Sequence, residues 1–181
     1  MKAEWKLFVE VEKTDMQMVP SKNPNCDIVL NSSTQELHVG DIWNQSIRVF
    51  SLKNRRVSTL CGIPKEPGYV DGIHNQSKFK SPRGLGLDIN SNCLYVTDGN
   101  QVVRRISLSG EVRVSTLCGI VGAKGSRDGL NPTFLLLQGI IVDPHSQSLY
   151  VMDFVDHKVR KIIDRRRILK GESPPTTETK L

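Results

Sequence analysis

No stretch of the 181 residues approaches the roughly 18 consecutive apolar residues that a membrane-spanning helix requires. The N-terminal Met1 to Glu12 alternates charged and apolar residues and lacks the unbroken apolar centre of a secretion signal, which favours a cytoplasmic over a secreted location. Cysteine is sparse: Cys26, Cys61, Cys93 and Cys118 form no Cys-x-x-Cys pair and no zinc-ribbon spacing. Missing too are the Gly-x-Ser-x-Gly elbow, the phosphate-binding glycine loop, the dinucleotide fingerprint and the His-Glu-x-x-His helix. The histidines, His38, His74, His145 and His157, stand at unrelated positions. These absences leave no catalytic residue, metal ligand or cofactor to name, and they point away from an enzyme. Asn-x-Ser acceptors at Asn31, Asn44 and Asn75 arise readily from loop composition and do not reverse the reading of location.

What is present is an ordinary soluble composition, 38% hydrophobic and 24% charged, in a chain long enough to bury roughly 70% of its unfolded surface. The formal net charge of +6 is local. Between Lys158 and Lys170 lie seven bases and one acid, which account for all of it, so the remainder is neutral. Arg165, Arg166 and Arg167 in that segment are a candidate contact for RNA or an acidic protein. Glu172 to Leu181, with Pro174 and Pro175, reads as a disordered end.

The chain repeats itself. Val57-Ser58-Thr59-Leu60-Cys61-Gly62 returns unchanged as Val114-Ser115-Thr116-Leu117-Cys118-Gly119, and Asp71-Gly72 returns as Asp128-Gly129. Leu37-His38-Val39-Gly40-Asp41, Leu94-Tyr95-Val96-Thr97-Asp98 and Leu149-Tyr150-Val151-Met152-Asp153 share one plan. An apolar-Arg-x-apolar segment follows each, carrying Arg48, Arg104 or Arg160. The alternation is that of strands, broken by turn clusters such as Asn90-Ser91-Asn92, and no segment has helical periodicity. The expected organisation is an N-terminal strand and linker over 1–26, with Trp5, Leu7, Val9 and Val11 on one face of an outer strand. Three units over 27–62, 83–119 and 138–163 follow, and then a tail over 164–181.

The ordered set from Phe79-Lys80-Ser81-Pro82-Arg83-Gly84-Leu85 through Leu94-Tyr95-Val96-Thr97-Asp98 to Val114-Ser115-Thr116-Leu117-Cys118-Gly119 resembles the NHL repeat. Gly68-Tyr69-Val70-Asp71-Gly72 and Gly125-Ser126-Arg127-Asp128-Gly129 resemble the linkers between its blades. The resemblance covers roughly residues 27–163 and implies an all-β fold, a propeller-like array of about three four-stranded antiparallel blades. Unit three departs from it, with Gln138 in place of Pro82 and Arg165-Arg166-Arg167-Ile168-Leu169 in place of the last strand, so its fourth strand is in doubt. Three blades do not close a ring, whereas two copies of the chain would make six.

Residues that recur in every unit are expected to serve packing between repeats, since a ligand site is usually asymmetric. Gly84 and Gly139 would permit a bend or close backbone approach before a first strand. Asp41, Asp98 and Asp153 would accept hydrogen bonds from turn amides, and Arg48, Arg104 and Arg160 would pair with these carboxylates or with a neighbouring blade. His38 replaces the tyrosine of its motif as a packing substitution, and Cys61 and Cys118 fill a repeated core position. The long loops between units offer Lys78, Lys80 and Arg83, then Lys124 and Arg127, as binding residues, against the blander reading of a solvated linker. The resulting expectation is a non-enzymatic scaffold that binds a protein partner through inter-blade loops. RNA binding through the basic segment is the alternative, and a metal-dependent propeller lyase or hydrolase is the second.

Overall fold

The computed structural model describes residues 27–163. The N-terminal strand expected over Met1–Glu12, Cys26, Arg165, Arg166, Arg167 and the C-terminal end lie outside the described residues. Unit one is a four-stranded antiparallel sheet of β1 (Ile28–Asn31), β2 (Glu36–Asp41), β3 (Ser46–Ser51) and β4 (Arg56–Cys61), in that order. Unit two contains β6 (Leu85–Asp88), β7 (Cys93–Asp98), β8 (Val102–Ser107) and β9 (Arg113–Gly119), with the two-residue β5 (Gly72–Ile73) added along β9. Unit three has β10 (Leu137–Val142), β11 (Leu149–Asp153) and β12 (Lys158–Ile162). Among the described residues, helix is limited to one 3-10 turn, His74–Gln76.

The blades stack because alternate strand residues point to opposite faces. The face of blade two turned toward blade one carries Leu85, Leu94, Val96, Ile106 and Val114, which pack with Ile47 and Cys61 of blade one. Its opposite face carries Cys93, Tyr95 and Val103, which pack with Leu137, Ile140, Leu149 and Val151 of blade three. Every one of these side chains is at most 3% exposed. Full burial of such a side chain contributes about 1.5–3 kcal/mol, so the seams between sheets are where the fold is held. Cys61 and Cys118 lie in these two seams and form no disulfide with each other, and burial pushes the Cys61 thiol well up.

The repeated hexapeptide has a geometric cause. In β3–β4, Ile47 pairs with Cys61 but Arg48 pairs with Thr59, leaving Leu60 as the extra residue of a β-bulge. In β8–β9, Val103 pairs with Cys118 and Arg104 with Thr116, leaving Leu117. A bulge bends its strand and re-aims side chains. Here it sits beside each conserved-in-repeat arginine, and the glycine that ends each hexapeptide turns the chain at φ +91° (Gly62) and +102° (Gly119), a region that L side chains avoid.

Two expectations about the glycines and linkers need correction. Gly84 directly precedes β6, but Gly139 lies inside β10, at the register shift between Leu137 and Ile140. The linker from Gly62 to Pro82 is no solvated tether: Ser77 and Phe79 are fully buried, and Gly72 and Ile73 pair with Val114 and Arg113. Its backbone bonds partly to itself, as between Val70 and Lys78, and partly to the blade that follows, where Arg104 donates to the Val70 and Lys78 carbonyls, so these buried polar groups are paired.

Candidate functional site

The repeated aspartates end the second strand of each blade, at one end of the sheets. Asp41 accepts from the Asn44 amide (3.2 Å) and Asn44 Nδ2 (2.6 Å), fixing its own turn. Asp98 accepts from the amides of Asn100 (2.9 Å) and Lys80 (3.2 Å), and Asp153 from those of Leu135 and Leu136 (2.8 Å). The second and third carboxylates therefore clasp the lead-in of their own blade as well as, or instead of, the turn. Burial pushes the Asp98 carboxyl above its ordinary range, against the opposing pull of these amides and of Arg104.

Arg104 is fully buried and binds four groups: Asp98 Oδ2 (3.1 Å), Asp71 Oδ1 (2.6 Å), the Lys78 carbonyl (3.1 Å) and the Val70 carbonyl (2.9 Å). The rings of Tyr69 and Phe79 flank it at 4.9 and 5.0 Å. Arg160 repeats the arrangement with Asp128, Asp153 at 3.7 Å, the carbonyls of Arg127 and Thr133, and the Phe134 ring at 5.1 Å. These two arginines are thus staples that hold the linker to the blade it leads into. Arg48 differs: it donates to Thr59 Oγ1 at 2.6 Å and has no ion pair among the described residues. The acidic partner at the other two positions comes from the linker preceding the blade, and for blade one that stretch lies outside the described residues.

Of the basic loop candidates, Lys78 is held by Glu66 at 2.8 Å. Arg127 Nε donates to the Asn131 carbonyl at 3.1 Å, and both it and Lys124 are exposed. Lys80 is exposed, its backbone amide taken by Asp98. Arg83 is different, because it lines a basin of about 360 Å³ with Ile42, Trp43, Gln45, Ser81, Leu136 and Gln138. These residues come from the β2–β3 turn of blade one and the lead-ins of blades two and three, so the basin lies where all three blades meet at one end. Gln45 Oε1 accepts from the Ser81 amide at 2.6 Å and fixes one wall. The Arg83 guanidinium has no partner among the described residues, and Trp43 is 50% exposed. In the equivalent turn of blade three, Phe154 and Val155 are each 50% exposed.

Trp43 escapes a reading of repeated residues because it does not repeat: the matching turn of unit two carries Gly99 and Asn100. Its signal is a large aromatic where the turn of unit two holds Gly99 and Asn100, and the turn of unit three, with Phe154 and Val155, is apolar as well. A second depression, about 570 Å³, runs along β12 between Leu117, Leu130, Phe134 and Ile162, beside the edge that in the other blades carries a fourth strand. His38 is 2% exposed between blades one and two, and burial, partly offset by Glu36, lowers its pKa. Among the described residues no three His, Cys, Asp or Glu side chains gather as a metal site.

Human NHL repeat-containing protein 2 is 33% identical over 122 residues, 67% of this chain and 16% of its own length. The bovine protein of the same name is 33% identical over 136 residues, 71% of this chain and 19% of its own. The chain thus spans less than a fifth of the curated relatives it matches. An auxiliary nutrient binding protein from Bacteroides thetaiotaomicron superposes with a TM-score of 0.64 at 21% identity, covering 74% of this chain and 36% of its own. A protein of unknown function from the same organism reaches 0.70 at 21% identity, covering 78% and 35%. At that identity the likeness is one of fold. No family model matches the chain. Repeats, blade architecture and relatives agree: the chain belongs to the NHL-repeat β-propeller family, of which it carries about three units.

Proposed function

We propose that this chain is a non-catalytic propeller scaffold that binds a protein partner at the end of the blades bearing the Trp43–Arg83 basin. One observation carries the reading. The repeated charged residues of blades two and three are consumed in holding linkers to blades, whereas Trp43 and Arg83 converge from different blades on one concave surface with their polar and aromatic groups uncommitted. Aromatic and arginine side chains are those enriched in binding hot spots, because each offers a large contact area together with directed hydrogen bonding. Half-exposed Phe154 and Val155 extend apolar surface at the same end. On this reading the contact surface keeps Arg83 of the loop candidates and adds Trp43 of the β2–β3 turn.

The test is affinity capture from native extract with and without nuclease, comparing the chain with its Trp43→Ala and Arg83→Ala forms. A defined protein retained after nuclease and lost from either variant is the expected result. Capture that disappears on nuclease treatment would favour RNA, and capture indifferent to both substitutions would move the site elsewhere.

A further inference from the structure

The charged groups at the end of the blades that bears the Trp43–Arg83 basin fall into two sets. The carboxylates are committed. Asp41, Asp98 and Asp153 hold turn and lead-in amides, Asp27 accepts from the amides of Ile28 and Leu85 at 2.9 Å each, and Asp156 pairs with Lys158 at 3.1 Å. Two cations on the lead-in to β6 are not committed. Neither the Arg83 guanidinium nor the Lys80 ammonium has a partner among the described residues. The charge left over at this end is therefore positive.

Among the described residues that line the basin, Arg83 alone carries a charge. The others are apolar, as Ile42, Trp43 and Leu136 are, or neutral and polar, as Gln45 and Gln138 are. A lining of this kind matches one negative charge set among apolar groups. It does not match a phosphate backbone, which is held by several cations in succession. The volume of about 360 Å³ lies at the lower end of ligand pockets, roughly 300–1,000 Å³, and suits a side chain or two of an extended segment. Position 83 is also free of the demands of the repeat. Its match in unit three is Gln138, so packing between blades does not require an arginine there, and an asymmetric residue is what a ligand site uses.

We propose that the basin takes an Asp or Glu side chain from an extended acidic segment of the protein partner, with the carboxylate on Arg83 and a neighbouring apolar residue against Trp43. The proposal rests on the basin being the partner site and names the chemistry that site selects. A guanidinium offers two parallel N–H groups to the two oxygens of a carboxylate, and such charge-assisted pairs are among the stronger hydrogen bonds. Apolar walls strengthen the pair by excluding water. Lys80, exposed nearby on the same lead-in, adds attraction for further acidic residues, and half-exposed Phe154 and Val155 offer apolar surface at the same end.

The experiment selects a display library of random linear peptides on the full chain. Enriched peptides, each made with its acid and with the corresponding amide, are then titrated against the parent, Arg83→Gln and Trp43→Ala. Glutamine already stands at the matching position of unit three and Trp43 is half exposed, so both variants should keep the circular dichroism of the parent. The expected peptides share an Asp or Glu beside an apolar residue. Their affinity falls about tenfold or more in Arg83→Gln or when the acid becomes an amide, and the two changes together cost no more than either alone. Peptides that need no acid, and lose affinity in Trp43→Ala but not in Arg83→Gln, would overturn the proposal while leaving the basin as the partner site. Peptides indifferent to both substitutions would remove the basin as well. The absence of any enriched peptide, or displacement of the acidic peptide by a short oligoribonucleotide at a lower concentration than by the free peptide, would also overturn the proposal.

Discussion

His38 shows how one departure from a repeat acquires a property that its counterparts lack. Tyr95, in the same strand position, is 1% exposed and His38 2%, so the site takes a ring between two blades. Nδ1 of His38 finds no partner there. A buried imidazole resists protonation, so its pKa is lower in the fold than the 6.5 of the free side chain. The unfolded chain then binds the proton more readily, and the stability associated with neutral His38 is present above pH 6.5 and lost as pH falls from 6.5 toward the lowered folded value. Urea unfolding between neutral pH and the mid-fives should show this decline in the parent and a shallower one in His38→Tyr. Equal slopes would remove His38 as the cause.

Among the elements, the linkers behave least as their sequence suggests. Length and charge made Gly62 to Pro82 resemble a solvated or binding loop, because no local pattern reveals that Arg104, more than 20 residues downstream, reaches back to the Val70 and Lys78 carbonyls. The strands were legible because period-two alternation and turn residues are local. So was the structural role of the repeated arginines in blades two and three, because recurrence implied packing. Trp43 was illegible for the converse reason: a residue that appears once leaves no trace in a search for repeats. Removing Arg104 leaves Asp98 buried without its counter-charge, so Arg104→Ala should cost about 3–5 kcal/mol. Arg48→Ala, which forfeits a bond to Thr59 alone among the described residues, should cost about 1 kcal/mol. Denaturant titration of both variants measures the difference, and comparable losses would show that the staple is not what distinguishes them.

For the molecule as a whole, each blade has too little apolar area to bury alone, and its neighbours supply the cover, as in other repeat architectures. The seam between blades two and three concentrates the argument at Gly84, where any side chain meets the Gln138 carbonyl. Hydrogen exchange followed by mass spectrometry on Gly84→Val probes it most directly. If stacking holds the fold, amides of 137–162 in the variant exchange faster than in the parent, by more than those of the β2–β3 hairpin beyond blade two. Unchanged protection across 137–162 would contradict the account.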